Sequence, residues 1–119
     1  MNNKAILKEN LEREIKEFRR SFERMDQKDV YNSFYKINFY EEYYMLLVSD
    51  FIDEYTQIVE WLSKFENPLV FLYDEWLRSD GAFSGDWNDM MNFIISIYEE
   101  EEYWNDMMNF ITNLYEEEK

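Results

Sequence analysis

The sequence predicts an all-α protein: a single compact domain of five or six helices with a duplicated acidic helical segment towards its C-terminal end. Three observations predict this fold class. Apolar residues recur at spacings of three and four along most of the chain, which is the period of an amphipathic helix. No two-residue hairpin turn follows the segment in which a strand is conceivable. A length of 119 residues favours one domain, covering residues 1–119.

The N-terminal segment, residues 1–28, has the clearest helical pattern. Its eight basic and six acidic residues nearly balance, and Asn3 is the expected N-cap. Oppositely charged pairs at i,i+4, such as Glu9 and Arg13, support the exposed side. The predicted helix covers residues 4–26, and its apolar stripe at spacings of 4, 4, 3, 4 and 3 is formed by Leu7, Leu11, Ile15, Phe18, Phe22 and Met25.

Two further helices are expected before the single proline of the chain. Asp29 can cap a helix that runs from Val30 to Leu47. The aromatic run between Tyr31 and Tyr44 has strand propensity, but we prefer helix because no hairpin turn follows it. A third helix is expected to begin at Ser49 or Asp50 and to carry Phe51, Tyr55, Ile58, Leu62 and Phe65 on one face.

A break in the chain is expected at Asn67 and Pro68. Asn as the cap and Pro at the first helical position suit a fourth helix that ends near Leu77. Both glycines lie in the predicted loop, residues 79–85, where a positive φ would cost least. Asp86 is the expected cap of the C-terminal region.

The C-terminal segment, residues 86–119, contains an internal repeat. Residues 87–101 (the first copy) read WNDMMNFIISIYEEE, residues 104–118 (the second copy) read WNDMMNFITNLYEEE, and 12 of the 15 paired positions are identical. The offset of 17 residues is about 100° short of five helical turns, so on one straight helix the two apolar faces would point in different directions. Either the chain bends near Glu99–Glu102, or the second copy packs against something else. The sequence leaves open whether the second copy belongs to the core.

Each copy carries an apolar stripe at helical spacing. A stripe of this kind is most often part of a core, and the alternative is a partner surface rich in Met and aromatic residues. In the first copy the stripe consists of Trp87, Met90, Met91, Ile94 and Tyr98.

Composition excludes many classes of function. The chain has no Cys and no His, so disulfides, thiolate or imidazole metal sites and His-dependent catalytic triads are excluded. The run of four Glu lacks the spacing and central Gly of an EF-hand, and no sugar cleft is indicated for paired catalytic carboxylates. We therefore expect no enzyme, no cofactor and no metal. The longest apolar runs are too short for a membrane span, and the N-terminus does not read as a signal peptide, which favours the cytoplasm.

Acidic residues strongly outnumber basic ones, and the excess is unevenly distributed along the chain. The net charge is −15 overall, +2 for residues 1–28 and −17 for residues 29–119. Solubility needs a magnitude of only about 2–8 in a small domain. Duplex DNA carries about one charge per 1.7 Å, so 17 charges correspond to roughly 29 Å of duplex, and a compact chain of this length would be about 35 Å long. Such acidity disfavours direct nucleic-acid binding and favours a basic protein partner.

The candidate partner-binding residues are carboxylates and tyrosines of the C-terminal half. Tyr and Trp beside acids suit a protein interface, where aromatics anchor and charge steers. Seven tyrosines are candidates for exposure, namely Tyr31, Tyr35, Tyr43, Tyr73, Tyr98, Tyr103 and Tyr115. The candidate contact residues are Asp74, Glu75, Asp80, Asp86, Asp89, Tyr98, Glu99, Glu100, Glu101, Glu102, Asp106, Tyr115, Glu116, Glu117 and Glu118.

The chain resembles the small acidic DNA-mimic inhibitors of phages and mobile elements in its composition. The resemblance is carried above all by the Tyr-Glu-rich ends of the two repeat copies, residues 98–102 and 115–118. That class includes anti-restriction and anti-CRISPR proteins. The resemblance implies a bacterial cytoplasmic inhibitor that occupies the basic nucleic-acid-binding cleft of a defence nuclease, such as a CRISPR effector or a restriction enzyme. The charge-balanced first helix departs from a uniformly acidic mimic. The alternatives are an immunity or antitoxin protein that neutralises a basic toxin, and a helical adaptor that oligomerises through its first helix.

Overall fold

A computed structural model describes residues 2–79 and 85–117. These residues form helices without any strand, so the prediction of an all-α fold is confirmed. The described helices number seven, against the five or six expected, because two predicted helices are each divided in two. They are α1 (Asn3–Ser21), α2 (Gln27–Asn32), α3 (Phe34–Leu47), α4 (Phe51–Glu54), α5 (Thr56–Leu62), α6 (Pro68–Arg78) and α7 (Trp87–Glu117).

The helix boundaries differ from the predicted ones at the caps. Asn2, not Asn3, caps α1 by accepting a hydrogen bond from the backbone N–H of Ala5 at 2.8 Å. Asp26, not Asp29, caps α2 in the same way. The predicted second helix is broken between α2 and α3 at Ser33, and the predicted third helix between α4 and α5 at Tyr55, where the backbone leaves helical geometry.

The core lies where α1, α3, α5 and α6 meet. From α1, Leu7, Leu11 and Ile15 are buried against Phe39 and Leu47 of α3 and their neighbours. Because these three side chains belong to the core, they are not exposed on the surface of α1. No helix in the described part of the chain is long and apolar enough to cross a membrane.

Aromatic rings fill much of the core. Phe39 stacks on Tyr43 with ring centroids 4.2 Å apart, and Tyr43 is buried, so its predicted exposure is wrong. The reason is that Tyr43 follows Phe39 by one helical turn on the same side of α3. Tyr73 and Tyr98 are half-buried, whereas the remaining candidates are exposed, namely Tyr31, Tyr35, Tyr103 and Tyr115.

A buried carboxylate joins α1 to α6. Glu14, only 4% exposed, accepts hydrogen bonds from the backbone N–H groups of Leu69 at 2.7 Å and Val70 at 2.9 Å. It thereby caps α6, a role that the sequence predicted for Asn67, whose side chain makes no capping hydrogen bond. Burial raises the pKa of the Glu14 carboxyl above its ordinary 4.5, although the two N–H donors act in the opposite direction.

The C-terminal helix α7 is continuous over 31 residues, which makes it about 46 Å long. The molecule measures 62 × 34 × 27 Å, so α7 is longer than either of the two shorter dimensions. The longest dimension exceeds the roughly 35 Å expected of a compact chain of this length. The difference arises because α7 does not bend near Glu99–Glu102 and continues beyond the remaining helices.

The two copies of the repeat therefore have different surroundings. In the first copy, Met90 and Ile94 are completely buried against the core. In the second copy, the matching Met107 is half-buried and the matching Ile111 is 50% exposed. The described residues of the second copy thus extend beyond the core, which answers the question that the sequence left open.

Matched truncations in the two copies should separate their contributions to stability. We expect Ile94→Ala to lower the free energy of unfolding by about 2–5 kcal/mol, because it leaves a cavity in the core. The same change at Ile111 should alter it by no more than about 0.5 kcal/mol, because this side chain is half exposed. Urea denaturation at low protein concentration measures both, and equal losses would contradict the placement of the second copy outside the core.

Replacing Glu14 by Gln should destabilise the fold, because it removes one of the two acceptor oxygens that cap α6. In Glu14→Gln one carboxylate oxygen becomes an amide NH₂, which leaves one N–H of α6 without its acceptor, and we expect a loss of about 1–3 kcal/mol in urea denaturation. Glu12→Gln, an exposed change on the same helix, is the control and should stay within about 0.5 kcal/mol of the wild type. A loss for Glu14→Gln no larger than that of the control would show that Glu14 does not cap α6.

The difference in stability between the wild type and Glu14→Gln should depend on pH. Because burial raises the pKa of folded Glu14, the folded protein binds a proton at a higher pH than the unfolded chain. The resulting stabilisation is fully present below pH 4.5 and is lost as the pH rises through the pKa of the folded state. Lowering the pH from 7 towards 4.5 should thus widen the stability gap between the wild type and Glu14→Gln, and a gap that narrows would contradict the raised pKa.

Candidate functional site: the acidic C-terminal helix

Charge is distributed unevenly among the helices, and α7 is the most one-sided. Its 31 residues include eight Asp or Glu and no Lys or Arg. Elsewhere some carboxylates are paired: Glu41 of α3 pairs with Arg19 of α1 at 2.6–2.7 Å, and Asp53 pairs with Lys4. The described residues outside α7 carry 17 acidic and 11 basic side chains, a net charge of −6, whereas α7 alone carries −8.

Five carboxylates of α7 lie on one side of the helix, which we call the acidic face. At 3.6 residues per turn they fall within an arc of about 100°. All five side chains are exposed, and none takes part in an ion pair within residues 2–79 and 85–117. The acidic face consists of Glu99, Glu102, Asp106, Glu116 and Glu117.

Glu101 points in another direction. It is half-buried, and its carboxylate accepts a hydrogen bond from the indole N–H of Trp61 in α5 at 2.8 Å. This bond holds α7 against α5 at the end of the first copy. Among the candidate contact residues, Glu101 is therefore engaged inside the molecule, and it supports the acidic face without belonging to it.

Tyr98 lies at the same junction. Its ring makes an edge contact with the ring of Trp61, with centroids 5.5 Å apart. Desolvation raises the pKa of the Tyr98 phenol, and the carboxylates of Glu102 and Glu60 act in the same direction. Tyr98 thus packs between α5 and α7, while Tyr115 stays exposed near the end of α7.

The other candidate residues are not part of the acidic face. Asp74 and Glu75 belong to α6, where Glu75 pairs with Arg78 at 3.3 Å, and Glu75 lines a depression together with Glu100. Asp86 accepts a hydrogen bond from the backbone N–H of Asn88 at 2.8 Å, which confirms its predicted role at the start of α7. Asp89 lies in the first turn of α7, away from the acidic face. Asp80 and Glu118 lie outside the described residues.

A second surface on α7 was not among the predicted contact residues. Seven large hydrophobic side chains between residues 103 and 115 are exposed. The signal in the sequence was the 17-residue offset, which turns the second stripe by about 100° relative to the buried one. This second-copy apolar face consists of Tyr103, Trp104, Met108, Phe110, Ile111, Leu114 and Tyr115, with the half-buried Met107 between them.

The described residues hold no group of three or more His, Cys, Asp or Glu side chains placed to bind a metal ion. What α7 presents is an exposed charged row and an exposed apolar surface. In protein interfaces generally, charge steers association and apolar anchors stabilise the complex.

Comparisons with known proteins place the chain in no group. No known protein family matches it, and neither a curated protein nor a solved structure resembles it significantly.

Proposed function

We propose that the protein is an acidic inhibitor that binds the basic nucleic-acid-binding cleft of another protein and blocks the entry of nucleic acid. The kind of target we propose is a bacterial defence nuclease, such as a CRISPR effector or a restriction enzyme. The observation that carries the proposal is the acidic face of α7, an exposed row of carboxylates on a helix without a single basic residue.

The dimensions of the acidic face suit a groove that holds a phosphate backbone. Carboxylates at i,i+3 and i,i+4, such as Glu99, Glu102 and Asp106, lie about 5–6 Å apart at Cβ. The face extends over 19 residues, from Glu99 to Glu117, which is a rise of about 27 Å. A DNA strand of that length carries about eight phosphates, so the five carboxylates replace more than half of the charge of one strand.

The position of the acidic face also supports the proposal. Most of it lies on the part of α7 beyond Glu101, where the helix leaves the core and all its carboxylates are exposed. These carboxylates are therefore accessible to a basic cleft on another protein.

The test is capture of a nucleic-acid-binding protein from a bacterial lysate on the immobilised protein. Five amide substitutions remove the acidic face: Glu99→Gln, Glu102→Gln, Asp106→Asn, Glu116→Gln and Glu117→Gln. We expect the wild type to capture its target at low salt and to release it as the salt concentration rises. Added duplex DNA should also displace the target, because it competes for the same cleft. The substituted protein should bind at least tenfold more weakly, a loss of about 1.4 kcal/mol.

A matched control removes five exposed carboxylates elsewhere and leaves the same net charge. It carries Glu9→Gln, Glu12→Gln, Glu23→Gln, Asp50→Asn and Glu54→Gln. This protein should keep its target. If both substituted proteins weaken capture equally, only net charge matters and the acidic face is not the contact. If saturating DNA leaves capture unchanged, the protein does not occupy a nucleic-acid cleft.

A further inference from the structure

We propose that the second-copy apolar face is the interface of a homodimer, in which the projecting halves of α7 from two chains pack side by side and antiparallel. The occupant of this face is a second copy of the same chain. The inference does not depend on the proposed function, because it uses the opposite side of the helix.

The residue pattern of the second copy is that of a helix made to pack against another helix. Trp104, Met107, Ile111 and Leu114 follow one another at spacings of 3, 4 and 3, which are the a and d positions of a heptad. The flanking e and g positions include Met108, Phe110 and Tyr115. The b, c and f positions are all polar, namely Asn105, Asp106, Asn109, Thr112, Asn113 and Glu116.

The area of the face matches what a stable dimer needs. The seven exposed side chains of the second-copy apolar face are between 45% and 64% exposed. At roughly 200 Å² for a large side chain, they present about 800 Å² per molecule. A standard interface buries about 800 Å² per partner, whereas the largest apolar patch of a monomer is usually about 300–600 Å².

The charges lie mostly away from the proposed seam. The centre of the acidic face is about 150° around the helix from the centre of the apolar face, so most of its carboxylates would face outwards in the dimer. Charged side chains at e and g positions normally select the partner of a helix. Between residues 103 and 117 these positions are occupied by the uncharged Tyr103, Met108, Phe110 and Tyr115, and by one charged residue, Glu117, at the end of the seam.

An antiparallel arrangement satisfies the remaining constraints. It places the two helical bodies at opposite ends. It also brings Glu101 and Glu102 of each chain beside Glu117 and Glu116 of the other, a repulsion that salt screens. A register that centres on Asn109 brings Trp104 of one chain opposite Leu114 of the other, and Met107 opposite Ile111. The largest side chain of the face, Trp104, then meets the smaller Leu114, and Met107 meets Ile111, which is of similar size.

Sedimentation equilibrium of the full chain at several protein and salt concentrations tests the proposal. We expect a dimer whose dissociation constant rises at least tenfold in Ile111→Asp. Asn109→Asp, which adds the same charge on the polar side of the same helix, should leave it unchanged. Circular dichroism and urea denaturation should show that both variants stay folded. Raising the salt concentration should tighten the dimer by screening the net charge of −15 on each chain.

The shape and the salt dependence distinguish the possible outcomes. Small-angle scattering should show a dimer about 100 Å long, since two 62 Å molecules overlap along only about 22 Å; a dimer no longer than the monomer would overturn the antiparallel arrangement. A protein that stays monomeric at high concentration in low and high salt would overturn the dimer. If the wild-type protein is monomeric and Ile111→Asp abolishes its capture of a target from the lysate, a different protein covers the face and the dimer proposal is overturned. Target binding weakens with salt whereas dimerisation strengthens, so either proposal can fail alone.

Discussion

Burial of Met90 and Ile94 fixes the direction of α7, and the surface properties of the molecule follow from that direction. These two side chains are fully enclosed, and the hydrogen bond from Trp61 to Glu101 holds the helix about two turns beyond Ile94. Beyond that point the chain continues as helix without support from the core. Because a helix is stiff over this length, whatever the second copy carries must project from the body.

The sequence predicted most of the helices and missed the contacts that join them. The sequence predicted the buried stripe of α1, because its periodicity is local. It also predicted the start of α6 at Pro68, because proline has a fixed φ that suits the first turn of a helix. The cap of α6 was not readable, because Glu14 reaches it across 55 residues of sequence. The break at Tyr55 likewise depends on tertiary packing, since nothing in the local spacing interrupts the helical pattern there.

The same limit applies to the candidate site. Composition indicated which segment is acidic, but it did not show which of its carboxylates are exposed and which are engaged inside the molecule. Glu75 is paired with Arg78 and Glu101 with Trp61, whereas Glu99, Glu102 and Asp106 remain exposed and share one side of α7. Which carboxylates share one side of α7 depends on the rotational position of each residue. Those positions follow from the continuity of α7 across both copies, which the sequence left open.

The 17-residue offset of the repeat is what separates the charged and apolar surfaces. An offset of 18 residues is five full turns, and the second stripe would then have continued along the side of α7 that faces the core. At 17 residues it turns away by about 100°, and the acidic residues of the second copy turn with it. Glu116 and Asp106 thereby join Glu99 and Glu102 on one side, while Trp104 and Ile111 come to lie on another. A duplication that kept 12 of 15 residues has in this way produced a helix end with two distinct exposed faces.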